Sequence, residues 1–138
     1  MNWLLDTPII SEGSKRNPSR RVLRWLERHA DDCGISIVTM GEIRFGAETS
    51  PDNETRRSIE LFLASIRSQF GDAILDIDEQ TIVEWKTLIG ELKAKNRTIT
   101  CEDSLIAATA RQHQLIIVTK NVRHFHPTGL KVLNPDND

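Results

Sequence analysis

Residues 102–118 read EDSLIAATARQHQLIIV, a helical pattern that leads directly into a short apolar run. The alanine-rich first part predicts a helix over 102–112, and the apolar run predicts a strand over 115–118. Similar short apolar runs predict four further strands, at 3–5, 35–38, 73–75 and 131–133. Strands that alternate with helices are typical of a parallel sheet covered on both faces. We therefore predict an α/β fold, a three-layer α/β/α sandwich around a central, mainly parallel five-stranded sheet.

The helices between these strands follow from the spacing of their apolar residues. They are expected over about 18–30, over 39–48, after the turn at 51–53, and after Asp78, which can cap a helix. The apolar face of the third of these is Ile59, Phe62, Leu63, Ile66 and Phe70. That of the fourth is Ile82, Trp85, Ile89 and Leu92. The polar stretch 14–19 contains Pro18 and is expected to form a loop.

Length and composition limit the function classes. The 138 residues correspond to one domain, 1–138, and the net charge of −2 provides no general attraction to nucleic acid. No apolar run approaches the roughly 20 residues of a membrane span, and the first residues lack a signal-peptide pattern. Cys33 and Cys101 have no zinc-site spacing, which favours a cytoplasmic protein with reduced, buried thiols.

Polar side chains follow three of the predicted strands. They are Asp6 and Thr7 after the first strand, Glu42 after the second by way of Thr39, and Thr119 and Asn121 after the fourth. Asp103 lies in the first turn of the helix before that fourth strand, and this helix should run antiparallel to the strands. Because ligands of open α/β sheets bind at the carboxyl ends of the strands, these side chains are expected to meet at one edge.

Carboxylates that meet in this way raise one another's pKa values, and a divalent cation removes the repulsion. Hard oxygen ligands suit Mg²⁺ or Mn²⁺, which can activate water and stabilise the charge that develops on a phosphate during hydrolysis. The sequence contains no P-loop, no GxSxG elbow and no HExxH helix. Metal-assisted phosphodiester hydrolysis is the leading hypothesis.

Each of these residues also has a purely structural interpretation. Glu42 lies three residues after Thr39, which forms a capping-box pattern, and Asp103 lies three residues after Thr100 at a helix start. Asn121 can cap the turn after the fourth strand.

The structural interpretation is weakest for two of the carboxylates. Asp6 ends a buried apolar strand and therefore needs a partner. Asp103 shares a helical face with Ile106, Ala107 and Ala110, which directs it toward the sheet, unlike its neighbour Glu102.

Basic residues lie in two stretches that could hold phosphates near the site, and each is equally consistent with a solvated charged surface. They are Lys15, Arg16, Arg20, Arg21 and Arg24 after Asp6, and Lys93, Lys95 and Arg97 before Asp103. His124 and His126 flank Phe125 and are interpreted as surface or packing residues rather than as a metal pair.

Four stretches, in order along the chain, resemble the motifs of PIN-domain proteins, above all of the VapC and FitB-like toxins. They are Leu4-Leu5-Asp6-Thr7, Thr39-Met40-Gly41-Glu42-Ile43, Asp103-Ser104-Leu105-Ile106-Ala107-Ala108-Thr109-Ala110 and Val118-Thr119-Lys120-Asn121-Val122-Arg123-His124-Phe125. The stretch that begins at Asp103 is the most specific. Residues 129–135 are also typical of this group.

The resemblance implies an Mg²⁺- or Mn²⁺-dependent endoribonuclease toxin whose acidic ligands are Asp6, Glu42 and Asp103. Asn121 occupies the fourth family position and would assist by hydrogen bonding, with Thr7 and Thr119 as supporting groups. The resemblance further implies a homodimer, inhibition by a VapB-like antitoxin in the acidic pocket, and operator DNA bound only through that antitoxin. It also implies an RNA substrate, often a tRNA cut at the anticodon loop.

Pro8 departs from the family, which usually has Asn at this position. Proline removes a backbone donor and favours extended geometry at Thr7, so the loop beside Asp6 is expected to differ. This residue favours an alternative in which a catalytically weakened protein acts by binding its antitoxin and regulating their operon. A phosphatase or phospho-acceptor domain is a third interpretation. Pro8 stands where such a phosphatase needs a second aspartate, and Asp76 alone is a thin match to a receiver.

Overall fold

The computed structural model describes residues 1–137 and contains five strands in one sheet. These are β1 (Trp3–Leu5), β2 (Cys33–Ser36), β3 (Ile74–Leu75), β4 (Ile116–Val118) and β5 (Val132–Leu133). Their order is β3-β2-β1-β4-β5, and every neighbouring pair is parallel. The α/β prediction is confirmed, and the sheet is entirely rather than mainly parallel.

Seven α-helices surround the sheet in the described part of the chain. They are α1 (Thr7–Ile10), α2 (Arg20–His29), α3 (Ile37–Glu48), α4 (Asn53–Phe70), α5 (Glu79–Ala94), α6 (Cys101–His113) and α7 (Val122–Phe125). The predicted helices 18–30 and 102–112 therefore agree with α2 and α6 to within two residues at each end. No helix within residues 1–137 is both long and apolar enough to cross a bilayer.

Two apolar cores form because successive strand residues point to opposite faces of the sheet. Leu5 packs on one face with side chains from α1 to α4, among them Trp25 and Leu63. Leu4 packs on the other face with side chains from α5 to α7, among them Ile106. Helices thus cover both faces, and the predicted three-layer sandwich is confirmed.

The start of α3 differs from the prediction. The second strand was expected over 35–38, but β2 ends at Ser36 and Ile37 already belongs to the helix. The physical reason is a helix cap, because the Ser36 hydroxyl accepts a hydrogen bond from the Val38 N–H at 3.0 Å. The capping box predicted for Thr39 and Glu42 is therefore wrong, since both residues lie inside α3.

Two further expectations are only partly correct. On α5 the residues Thr81, Leu88 and Leu92 are buried, whereas Ile82 is 40 % exposed, so the buried face is rotated from the predicted one. Of the two thiols, only Cys33 is buried; Cys101 is exposed at the start of α6. Burial, together with the nearby negative charge of Asp32, raises the pKa of the Cys33 thiol to about 12, which makes it unreactive.

Candidate active site

Asp6 lies at the carboxyl end of β1, the central strand of the sheet. Its carboxylate is 4 % exposed and accepts two hydrogen bonds, from the Thr7 N–H at 2.9 Å and from the Thr119 hydroxyl at 2.8 Å. Asp6 also precedes α1 as its N-cap residue. The partner that a buried carboxylate requires is thus supplied by neutral donors rather than by a cation.

The pKa of Asp6 is raised above its ordinary value. Burial is the largest cause, and the nearby negative charges of Asp103 and Glu42 add to it. The hydrogen bonds from Thr119 and Thr7 act in the opposite direction without cancelling the rise. Among the described residues, no positively charged group contributes to the pKa of Asp6.

Glu42 is connected to Asp6 through hydrogen bonds of Thr7. It lies on the second turn of α3 and is exposed. The Thr7 hydroxyl donates to Glu42 Oε1 at 2.7 Å and lies 3.1 Å from the hydroxyl of buried Thr39. Thr7 therefore links the two carboxylates, because its backbone N–H binds Asp6 while its side chain binds Glu42.

Asp103 lies in the first turn of α6, where the Asp103 N–H donates to the Thr100 hydroxyl at 3.1 Å. Its side chain is 18 % exposed, whereas neighbouring Glu102 is exposed, in line with the helical phase noted in the sequence. One carboxylate oxygen of Asp103 lies 3.4 Å from Nδ1 of His124, the first of the two histidines that flank Phe125. The helix start and the sheet edge thus bring Asp103 close enough for its charge to reach Asp6.

Thr119 and Asn121 follow β4 and behave differently from each other. Thr119 is fully buried, donates to Asp6 and accepts the Asn121 N–H at 2.9 Å. The Asn121 side chain is exposed and makes no hydrogen bond that caps α7. The backbone N–H of Asn121 is therefore linked to Asp6 through Thr119, whereas the side-chain amide of Asn121 faces solvent.

Pro8 does not disturb this arrangement. It occupies the first turn of α1, where a backbone N–H has no helical partner in any case. The expected extended geometry at Thr7 is wrong, because Thr7 begins α1 and still donates its N–H to Asp6.

The donor set fits a hard divalent cation in its chemistry. Three carboxylates share one sheet edge, and within residues 1–137 none of them is paired with a lysine or arginine. As placed in these same residues, no group of three or more Asp, Glu, His or Cys side chains is close enough together to hold a metal ion. Glu42 is held by Thr7 on an exposed helix turn, so binding of an ion would require its side chain to turn.

A buried ion pair that was not predicted from the sequence supports the same sheet edge. Glu12 is 1 % exposed and lies 2.8 Å from the ammonium group of Lys120, the residue between Thr119 and Asn121. Burial alone would raise the pKa of Glu12. The ion pair with Lys120, the hydrogen bond from the Ser19 N–H and the ion pair with Lys15 outweigh burial and hold that pKa at about 2. The available signal was an acidic residue two positions after the apolar pair Ile9-Ile10.

The two predicted basic stretches have separate environments. Lys15 pairs with Glu12, and Arg21 donates to the backbone carbonyl of Asp136. The remaining members are exposed: Arg16, Arg20, Arg24, Lys93, Lys95 and Arg97. His124 and His126 are both exposed, as expected, and His124 in addition lies beside Asp103, a contact not predicted from the sequence.

Comparison with known proteins gives a consistent result. The PIN domain family model matches residues 3–129. The toxin FitB of Neisseria gonorrhoeae is 31 % identical over 98 % of this chain and 99 % of its own length. The tRNA(fMet)-specific endonuclease VapC of Shigella flexneri is 32 % identical over 94 % of this chain and 93 % of its own.

A solved structure agrees with these matches. The structure of FitAB bound to an IR36 DNA fragment superposes with a TM-score of 0.88, at 30 % identity, over 96 % of this chain and 94 % of that one. Sequence, fold and the order of the polar strand ends thus lead to one assignment. The chain belongs to the PIN-domain family, in which its relatives include VapC ribonucleases and the toxin FitB.

Proposed function

We propose that this chain is the toxin of a VapBC-type toxin–antitoxin system and acts as a metal-dependent endoribonuclease. The observation that carries the proposal is Asp6, a buried carboxyl group whose pKa is raised in part by Asp103 and Glu42. A site that concentrates negative charge without a protein cation is suited to a divalent metal. The ribonuclease names of the VapC relatives support the same activity.

Asp6, Glu42 and Asp103 would hold Mg²⁺ or Mn²⁺, and Asn121 would assist by hydrogen bonding. When bound, the ion would activate a water molecule and offset the charge that develops on the phosphate. The chain's own residues prepare the site. Thr119 and the Thr7 N–H orient Asp6, and the Thr7 hydroxyl holds Glu42 within the same cluster.

RNA is the proposed substrate, with tRNA as the favoured class. The support is the Shigella flexneri relative, whose name states specificity for tRNA(fMet). We place the activity in the cytoplasm, where tRNA is available, and assign it to a single PIN domain over residues 1–138.

An antitoxin and a second copy of the chain are the proposed protein partners. A groove of about 930 Å³ adjoins the carboxylates between α3 and α4 and is lined by Thr7, Glu42, Ile43 and Phe62 among others. Its mixed polar and apolar walls suit an antitoxin segment that covers Glu42. Exposed apolar side chains such as Val83, at 52 %, are available for a homodimer. The FitAB–DNA structure supports operator binding through the complex rather than through the toxin alone.

The proposed activity predicts metal-dependent cleavage of a total tRNA pool by the antitoxin-free protein. Discrete products are expected with Mg²⁺ or Mn²⁺, and none with EDTA. Asp6→Asn should abolish cleavage, because a carboxylate ligand is lost. The products would be resolved on denaturing gels.

Asp72→Asn is the matched control, since Asp72 is an exposed carboxylate in the turn before β3, at the opposite end of the strands. It should cleave like the parent. Equal cleavage by parent and Asp6→Asn, or cleavage that persists in EDTA, would exclude the proposed metal site.

A further inference from the structure

A second groove, of about 540 Å³, lies directly beside the candidate active site, and Asp103 lines it. One wall is the segment between α5 and α6 at residues 97–100, and the other is α7 with the turn that follows it. Because the charge of Asp103 also reaches Asp6, a ligand in this groove lies next to the carboxylate cluster. We refer to it as the α6–α7 groove.

Two arginines line the α6–α7 groove, Arg97 and Arg123, and both are exposed. Within residues 1–137 neither forms an ion pair with a carboxylate. Arg111 shows the contrast, since it is held by Glu91 at 2.5 Å. A guanidinium group without a protein partner is free to donate two parallel hydrogen bonds to a phosphate.

The rest of the groove suits a nucleic-acid strand. Thr98 and Thr100 provide hydroxyl groups, which commonly bind phosphate or ribose oxygens. The Thr100 oxygen already accepts the Asp103 N–H, but its proton remains available for donation. Ile99 and Pro127 add an apolar surface of the kind against which a sugar or a base can pack.

We propose that the α6–α7 groove binds the phosphodiester backbone of the RNA strand next to the phosphate that is cut, with Arg97 and Arg123 as the phosphate contacts. This inference rests on the proposed nuclease function and adds the direction in which the strand leaves the carboxylates. A chain with a net charge of −2 has no general attraction for RNA, so its affinity must come from local contacts of this kind.

Binding without cleavage provides the test. The Asp6→Asn protein, in EDTA, would be titrated with a short fluorescein-labelled single-stranded RNA across a salt series, with anisotropy as the readout. Adding Arg97→Ala and Arg123→Ala together should weaken binding about tenfold. Each single change should make the negative slope of log K against log salt concentration shallower by about 0.7, as expected for one lost phosphate contact on a single strand.

Arg67→Ala is the matched control. Arg67 is an exposed arginine in the last turn of α4, just before the amino end of β3, and its loss changes the net charge by the same amount as either single groove substitution. It should leave affinity and salt slope unchanged. Equal binding by the groove variants and by the Arg67→Ala protein would overturn the inference. So would groove variants that bind RNA normally but lose affinity for the antitoxin, because the groove would then be a protein-docking surface.

Cleavage by protein that retains Asp6 separates this inference from the proposed function. Arg97→Ala and Arg123→Ala should raise KM for RNA and leave kcat nearly unchanged, since they remove binding away from the reacting atoms. If the parent cleaves RNA and these variants keep its KM, only the groove assignment fails. If the parent cleaves no RNA but binding still depends on both arginines, the nuclease function fails and the groove assignment stands.

Discussion

At the scale of the residue, opposing effects act on the pKa of Asp6. Burial and the charges of Asp103 and Glu42 disfavour its ionised form, while the hydrogen bonds from Thr119 and Thr7 favour it. The net result is a raised pKa, so the ionised carboxylate is less stable in the folded protein than in the unfolded chain. Such a group is expected to cost stability in return for function.

The metal-free protein should therefore gain stability when this charge is removed. Between the ordinary carboxyl pKa of 3.8 and the raised value, the folded chain binds more protons than the unfolded chain, so stability falls as pH rises through that interval. Asp6→Asn should raise the free energy of unfolding at neutral pH by roughly 0.5–2 kcal/mol. The gain should disappear in acid, below the ordinary pKa.

Urea denaturation in EDTA at several pH values would measure this difference, with Asp72→Asn as the control for an exposed carboxylate. A less stable Asp6→Asn protein at neutral pH would show that the two hydrogen bonds to Asp6 outweigh its burial.

Individual residues were predictable where helical or strand phase decides their direction. Asp103, rather than Glu102, is the half-buried member of its pair, as the apolar face of α6 indicated. Glu12 and Lys120 could not be paired from the sequence, because 108 positions separate two residues whose contact depends on the packing of α1 against the end of β4. Local sequence patterns do not predict contacts between residues this far apart in the chain.

At the scale of the element, the junction between β2 and α3 decides where Glu42 and Thr39 point. Apolar residues continue through Ile37 and Val38, so hydrophobicity alone extends the strand by two positions. The Ser36 hydroxyl ends the strand instead, by binding the Val38 N–H. Boundaries of this kind depend on one capping contact, which explains why the carboxyl end of β2 was predicted less closely than the carboxyl ends of the other strands.

Loss of this cap should be measurable. Ser36→Ala removes the hydroxyl of a fully buried residue, leaves the Val38 N–H without that partner, and should lower the free energy of unfolding by about 1 kcal/mol. Chemical denaturation would show the loss, and Ser68→Ala, at an exposed site within α4, should show almost none. A Ser36→Ala protein as stable as the parent would mean that neighbouring packing, rather than the cap, fixes the start of α3.

At the scale of the whole molecule, the Glu12–Lys120 pair joins distant parts of the chain. Glu12 follows α1, and it binds the Ser19 N–H before α2 as well as Lys120 after β4. Lys120 also lies 3.8 Å from Asp136, near the end of the described residues. The sandwich and its parallel sheet were predictable from alternating strands and helices, but this cross-connection was not.

Glu12→Gln tests how much that connection contributes. The substitution keeps the shape of the side chain but leaves the ammonium group of Lys120 with Asp136 alone, so a loss of roughly 2–3 kcal/mol is expected. Because the pKa of Glu12 falls from 4.5 to about 2 on folding, its stabilisation is complete above pH 4.5 and is lost as pH falls toward 2. Parent and variant should therefore converge in stability across that acidic interval.

Thermal and urea unfolding at several pH values would follow this convergence. Glu48→Gln is the control, since Glu48 pairs with Arg44 on an exposed helix surface and should contribute nothing measurable. A constant difference between Glu12→Gln and parent at every pH would assign the loss to packing rather than to charge.

The strand order has a consequence for protein synthesis. β1 lies between β2 and β4, so the partner that holds Asp6 on one side, Thr119, is translated long after Asp6 itself. A nascent chain that has emerged only as far as β3 already carries Asp6 and Glu42, yet it lacks Asp103 and the whole β4 side of the sheet. A chain interrupted before α6 therefore cannot assemble the carboxylate cluster, and Asp6 gains its Thr119 partner only after β4 has been synthesised.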